Sequence, residues 1–192
     1  DSVMFKKARA IQRANNPGQA MNDFRAYLTE FDPDWMGPVG SAARASGLKK
    51  ENPAPAGKHP LVARFHLAEA QLKASQFPQA RTNLEDLLKL IEAQKAGDAQ
   101  ATLVADARWA IVNSFRMPNP GANELERGVK AARDFLKAHT DDPRSVYAAW
   151  WIAHAYRQYG RSEEALAAYD DFIQRKNHKL PEGDALTTPI PI

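Results

Sequence analysis

The sequence predicts an all-α protein, an array of about four antiparallel helix pairs with a long irregular stretch after the first. Three observations lead there. Apolar residues recur at three- and four-residue spacing through most of the chain, as one face of a helix requires. Pro, Gly and Asn interrupt that periodicity at intervals suited to short helices joined by tight turns. An ordered set of small and large side chains returns from one pair to the next.

Residues 141–176 show the pattern most clearly. Asp142-Pro143 is a helix start, because aspartate accepts from free backbone N–H groups and proline is preorganised for the first helical position. Val146, Ala149, Ile152, Ala153 and Tyr156 then form one apolar face. Gly160 can take a positive φ and so ends the helix. Ser162 is placed to cap the next one, where Glu163 and Glu164 suit the positive end of the dipole. Ala165, Leu166, Tyr169, Phe172 and Ile173 give its apolar stripe. Neither helix can bury its stripe alone, so neighbours are implied.

The chain divides at this level into a first pair over 1–31, a Pro/Gly-rich linker over 32–58, three further pairs over 59–176 and a tail over 177–192. In the first pair Ala8 and Ile11 share a face, Asn16-Pro17 supplies the turn and cap, and Ala20, Phe24, Tyr27 and Leu28 follow. The linker has little apolar periodicity, although Trp35 and Met36 could dock on the first pair. Pro60 opens the second pair, with Phe65, Leu67, Ala68 and Leu72, a turn at residues 75–78, then Ala80, Leu84, Leu87, Leu88 and Ile91. The third pair carries Leu103, Ala107, Ala110, Ile111 and Phe115, the breaker Asn119-Pro120-Gly121, and a capping box of Asn123 with Glu126.

The 192 residues carry a net charge of +3, with basic and acidic residues interleaved, which gives no reason to expect nucleic-acid binding. Hydrophobic runs are too short to cross a bilayer, so no membrane insertion by these residues is expected. With no cysteine there can be no disulfide, thiolate ligand or cysteine nucleophile. The first residue is not Met and the first helix starts almost at once, so a domain or mature segment of a longer protein is expected.

The recurring spacing is specific. Ala153 is followed after twelve residues by Ala165, then after four by Tyr169 and after three by Phe172. Ala68, Ala80, Leu84 and Leu87 repeat it, as do Ala8, Ala20, Phe24 and Tyr27; in the third pair Ala131, Phe135 and Ala138 are taken as equivalents, after a longer turn. This resembles the tetratricopeptide repeat, a helix–turn–helix unit of about 34 residues, across most of the chain outside 32–58 and the tail. Asn15 and Ser75 depart from the repeat by standing in place of its turn glycine, and the helix-one tryptophan falls one position late. The alternation is also similar to that of repeat scaffolds in bacterial envelope-assembly proteins.

The resemblance implies a right-handed superhelical array whose first helices line a concave groove for a peptide or partner protein. Groove-side candidates are then Phe5, Phe65, Trp109 and Trp150, with Tyr147 beside them; one turn on, Arg9, Glu69, Asn113 and His154; and beyond these Arg116 and Arg157. Aromatics followed by arginines would suit a peptide with apolar anchors and acidic groups. The same four aromatics are more simply explained as a packing ladder between adjacent first helices, and Trp150 and Trp151 cannot both be buried on one side.

Catalytic readings fare worse. His66 and Glu69 could be metal ligands, but no second pair completes a site, and a solvated ion pair is the simpler expectation. His154 lacks an obvious carboxylate to orient it, and no phosphate loop or nucleophile elbow is present. The expectation is a scaffold with no catalytic residue, cofactor or metal, binding a peptide or protein. The alternative is a structural spacer or N-terminal module of a larger, possibly enzymatic, cell-envelope protein, whose partner is another domain of the same chain.

Overall fold

A computed structural model describes residues 2–35, 59–95 and 100–174. Among these residues the chain forms eight α-helices and no strand. They are α1 Ser2–Arg13, α2 Pro17–Phe31, α3 Pro60–Lys73, α4 Phe77–Ala93, α5 Ala101–Ser114, α6 Leu125–Ala138, α7 Arg144–Gln158 and α8 Ser162–Gln174. A 3-10 turn at Ala122–Glu124 precedes α6. The tail and most of the expected linker lie outside the described residues.

Each first helix ends on one kind of turn. Asn15, Ser75, Arg116 and Gly160 all have φ between 56 and 68°, and each lies two residues past its helix. In three of these turns the same two bonds close the helix. Asn16 N–H reaches Ile11 O at 3.3 Å, Gln76 N–H reaches Gln71 O at 2.8 Å, and Arg161 N–H reaches Tyr156 O at 3.0 Å. The left-handed residue itself donates three positions back, to Gln12, Leu72 and Arg157. This is the Schellman arrangement, which satisfies carbonyls that the helix end leaves unpaired. Asn15 and Ser75 therefore take the left-handed conformation that Gly160 takes in the last of these turns.

The turns return the chain antiparallel. Phe5, near the start of α1, meets Phe24 and Tyr27 in the second half of α2 at 6.2 and 5.7 Å. Gln71, near the end of α3, accepts a bond from Asn83 in the first half of α4.

Second helices bury a common face. In α2 it is Ala20, Met21, Phe24, Tyr27 and Leu28, and in α6 it is Gly128, Val129, Ala132, Phe135 and Leu136, at identical offsets. In α4, Ala80, Arg81, Leu84 and Leu87 hold the first four of these positions. This corrects the register expected for the third pair by three residues. Gly128, not Ala131, is the small residue, while Ala131 is half-buried and Ala138 exposed. A Cβ at Gly128 would lie 3.1 Å from Phe115 Cβ and 2.9 Å from Met117 Sδ, so the close approach of the paired segments requires glycine there.

Of two expected helix starts, one differs and one is as expected. Asn123 and Glu126 form no capping box; α6 starts at Leu125 after the 3-10 turn, and Glu126 instead bonds Arg161 and the Tyr156 hydroxyl. Asp142 does accept the Arg144 N–H at 2.9 Å, and its carboxylate also binds the Arg144 side chain at 2.9 and 2.7 Å. Those bonds hold Asp142 below the ordinary carboxylate pKa.

The chain forms two compact units, Asp1–Ala107 and Arg108–Ile192, divided within α5 rather than in the 32–58 segment. The reason lies at the start of that segment. Asp32 is 3 % exposed and pairs at 2.6 Å with Arg64, also 3 % exposed, while Trp35 is buried against the same core. The Arg64 guanidinium lies 5.2 Å from the Trp35 ring centroid. Residues 32–35 thus fasten the first pair to α3. The core of unit one joins Phe24, Tyr27 and Leu28 of α2 to Ala63, Leu67 and Ala70 of α3. The core of unit two is aromatic, with Trp109, Phe135, Trp151 and Tyr156.

Asp32→Ala strands a buried guanidinium and should destabilise unit one by about 3 kcal/mol, read by urea unfolding; an unchanged midpoint would contradict the role given to this pair. Ser75→Gly relieves a left-handed serine and should raise stability by up to about 1 kcal/mol in the same assay.

Candidate partner-binding faces

In unit one the expected groove residues bond to one another. Arg9 donates to Gln12 Oε1 at 2.6 Å, and Gln12 Nε2 donates to Glu69 Oε2 at 3.1 Å. His66 Nδ1 lies 2.5 Å from the same Glu69 oxygen and 2.9 Å from Arg9 Nη1. A guanidinium only donates and a carboxylate only accepts, so one ring nitrogen cannot serve both. The shorter contact assigns the Nδ1 proton to Glu69. His66 is 9 % exposed, with Phe5, Phe24 and Phe65 around its ring. The expected solvated His66–Glu69 pair is therefore a half-buried clasp between α1 and α3, because those helices lie against each other.

The clasp draws in most of the unit-one candidates. Burial pulls Arg9 below its ordinary pKa while Glu69, 3.9 Å away, opposes the shift. Phe5 is half-buried and stacks on His59 at 4.8 Å, and Phe65 is buried. Among the described residues no group of three or more His, Asp or Glu is placed to hold a metal ion.

Unit two separates its aromatics. Trp109 is 5 % exposed and stacks on Trp151 at 4.9 Å, with Phe135 at 5.2 Å; Tyr147 is buried in the same core. Trp109 is also not the counterpart of the other three aromatics. Phe5, Phe65 and Trp150 each lie ten residues before their left-handed turn residue, whereas Trp109 lies seven before Arg116. The position ten before Arg116 is Asp106.

Trp150 is half-buried, resting one side on the core, and its ring stacks on His154 at 4.7 Å and 23°. Gln158 Nε2 donates to His154 Nε2 at 2.8 Å and to Asn119 Oδ1. Arg157 Nη2 lies 3.4 Å from the other ring nitrogen, Nδ1, so N–H donors face both nitrogens and a neutral imidazole can accept from only one of them. Burial first, and then Arg157, lower the His154 pKa. Arg157 is exposed at the end of this row. Asn113 differs, since its amide donates to Trp109 O in its own helix. Arg116 is exposed and packs over Gly121, where a Cβ would meet its Nη2 at 3.1 Å.

Trp150, His154 and Arg157 therefore form a continuous strip along α7, braced at its end by the 116–121 loop. Asn119, Gln158 and Tyr159, whose hydroxyl donates to Pro120 O at 2.6 Å, make that brace. None of the three stood out in the sequence. Their contacts span 39 residues, and Asn119-Pro120-Gly121 is legible there only as a helix breaker.

Compared with known proteins, the chain matches no family model and no curated sequence.

His154 and His139 both lie below the ordinary histidine pKa, each chiefly through burial. Their unfolded forms therefore take up protons first, so unit two should lose stability as pH falls below about 6.5. Urea unfolding between about pH 7.5 and about pH 5.5 should show this loss, reduced in His154→Gln. A flat or opposite profile would contradict the neutral, partly buried imidazole.

Proposed function

We propose that this chain is a non-catalytic interaction scaffold of the tetratricopeptide type. In this reading stacked helix pairs form a right-handed array, and the first-helix side of the fourth pair binds an acidic peptide segment. The repeat reading is supported by the left-handed turn shared by all four first helices and by the buried face common to the second helices α2, α4 and α6. The observation that carries the binding site is the Trp150–His154–Arg157 strip. It presents one aromatic half out of the core, a neutral imidazole stacked on it and an exposed guanidinium a turn further on.

The chemistry follows from those groups. Trp150 supplies an anchor for an apolar side chain, and half-exposed tryptophans are common hot spots. Arg157 can take a carboxylate through two parallel N–H bonds. His154, held neutral, adds no competing charge. Because Gln158 and Asn119 already brace the strip, a peptide would order few side chains on binding, which lowers the entropic cost. The other candidates serve this reading differently: Phe65, Trp109 and Tyr147 as core, and Arg9 and Glu69 as a clasp.

One observation favours a second reading, a module within a larger protein whose partner is another domain. In α8 the five positions of the common second-helix face are Ala165, Leu166, Tyr169, Phe172 and Ile173. Only Ala165 is buried, while Leu166 and Ile173 are 64 % and 62 % exposed. The equivalent positions of α2 and α6 are buried, in helices that pack on the next first helix.

Selection from a random peptide library on the full chain should enrich sequences combining an apolar anchor with Asp or Glu. Trp150→Ala and Arg157→Glu should each weaken a selected peptide by at least about ten-fold, with helicity unchanged by circular dichroism. No enrichment, or binding indifferent to both substitutions, would refute the reading.

A further inference from the structure

Away from the Trp150 strip, unit two holds a slot of about 620 Å³ between α6 and α8, floored by α7. Its bottom is apolar and closed, formed by Leu136, Ala149 and Ile152, each at most 4 % exposed. Both walls use the same helical spacing. On α6 the lining positions are Arg133, Leu136 and Lys137, with Thr140 from the segment that follows the helix; on α8 they are residues 164, 167, 168 and 171. Steps of three and four place each set along one side of its helix, and the α8 set, spanning seven residues, lines the slot for about 10 Å. Alanines at 167 and 168 keep the α8 wall low and the slot open.

The charge on its rim is unbalanced. Arg133 and Lys137 are exposed, lie one turn apart on the α6 wall, and carry no ion pair among the described residues. Nearby Asp134 is taken by Lys130 at 2.5 Å. On the opposite wall Glu164 is bound by Arg161 at 2.8 Å, and Asp171 has an interaction of its own. The carboxylates near the slot are thus engaged, while Lys137 and Arg133, whose guanidinium lies 5.9 Å from the Tyr156 ring centroid, stand beside an apolar floor with no carboxylate partner among the described residues.

We propose that this slot is a docking site for an amphipathic helix of a partner protein, one whose apolar stripe is flanked on one side by carboxylates four residues apart. A helix lays side chains at i, i+3, i+4 and i+7 into such a groove, and the α8 wall, with that same spacing, accepts them in register opposite Arg133 and Lys137. Its flanking Glu or Asp residues then meet Arg133 and Lys137, which steer association and fix the side on which the helix lies. The site is separate from the Trp150 strip and stands or falls independently of it.

The test uses the full chain and a fluorescein-labelled amphipathic peptide of about 16 residues, with Leu at i, i+3, i+4 and i+7 and Glu at two flanking positions four apart. A second peptide carries Lys in place of both Glu. Anisotropy should show tighter binding of the Glu peptide, weakened at least about ten-fold by Arg133→Glu with Lys137→Glu. That double variant should in turn prefer the Lys peptide, a reversal that loss of folding cannot produce. Ala168→Trp, which fills the slot, should abolish both, while Trp150→Ala should leave both unchanged. No binding, equal binding of the two peptides, or no reversal would overturn the proposal. So would a homodimer in sedimentation that the double charge reversal dissociates, since the slot would then belong to a second copy.

Discussion

The left-handed turn two residues past each first helix decides where everything after it can pack. A helix end leaves its last carbonyls unpaired, and at Asn15, Ser75 and Gly160 one residue with positive φ lets its own N–H and that of the next residue fold back onto them. Satisfying those carbonyls within so few residues sends the chain back along the helix it has just left. The second helix must then meet the first at a set register, with a small residue at the head of its buried face. Where the connecting segment is longer, as after Arg116, the approach is closer still, and only Gly128 leaves room for Phe115 and Met117.

That geometry leaves first helices exposing one side to whatever comes next, and the two units use that side differently. In unit one α1 and α3 lie together, and Arg9, Gln12, His66 and Glu69 consume one another's hydrogen-bonding capacity. Polar groups so matched are held in place and have little left to offer a ligand. In unit two the stacked pair Trp109 and Trp151 fills the core. Trp150, its sequence neighbour, is turned by 100° around the helix and cannot follow Trp151 inward. The rest of α7 arranges itself on that half-exposed ring: His154 stacks on it, Gln158 meets the His154 ring at Nε2, and Arg157 reaches solvent.

Helix positions were readable from the chain because their punctuation is chemical. Asn16-Pro17 caps α2 through the Asn16 side chain, Pro60 opens α3, and Gly160 takes its positive φ. The third pair was misread by three residues for an equally physical reason. Shifting a helix by three residues turns its face by only about 60°, so Ala131–Phe135–Ala138 and Gly128–Ala132–Phe135 both fit an apolar stripe. Only the approach of Phe115 and Met117 tells them apart. The Arg9–His66 clasp, the Asp32–Arg64 pair and the Gln158–Asn119 brace join residues 32 to 57 positions apart, and no local period announces such contacts. Trp150 was legible as one of two adjacent tryptophans that could not share a side, although which one faced out was not.

The orientation of α7 is therefore the claim on which the account turns, and hydroxyl-radical footprinting of the free protein addresses it directly. Peptide mass spectrometry resolves the four tryptophans individually. Oxidation should concentrate on Trp150, with Trp35, Trp109 and Trp151 protected by the burial that leaves each at most 6 % exposed. Trp151 or Trp109 oxidised as fast as Trp150, or Trp150 as protected as they are, would mean that α7 presents a different face.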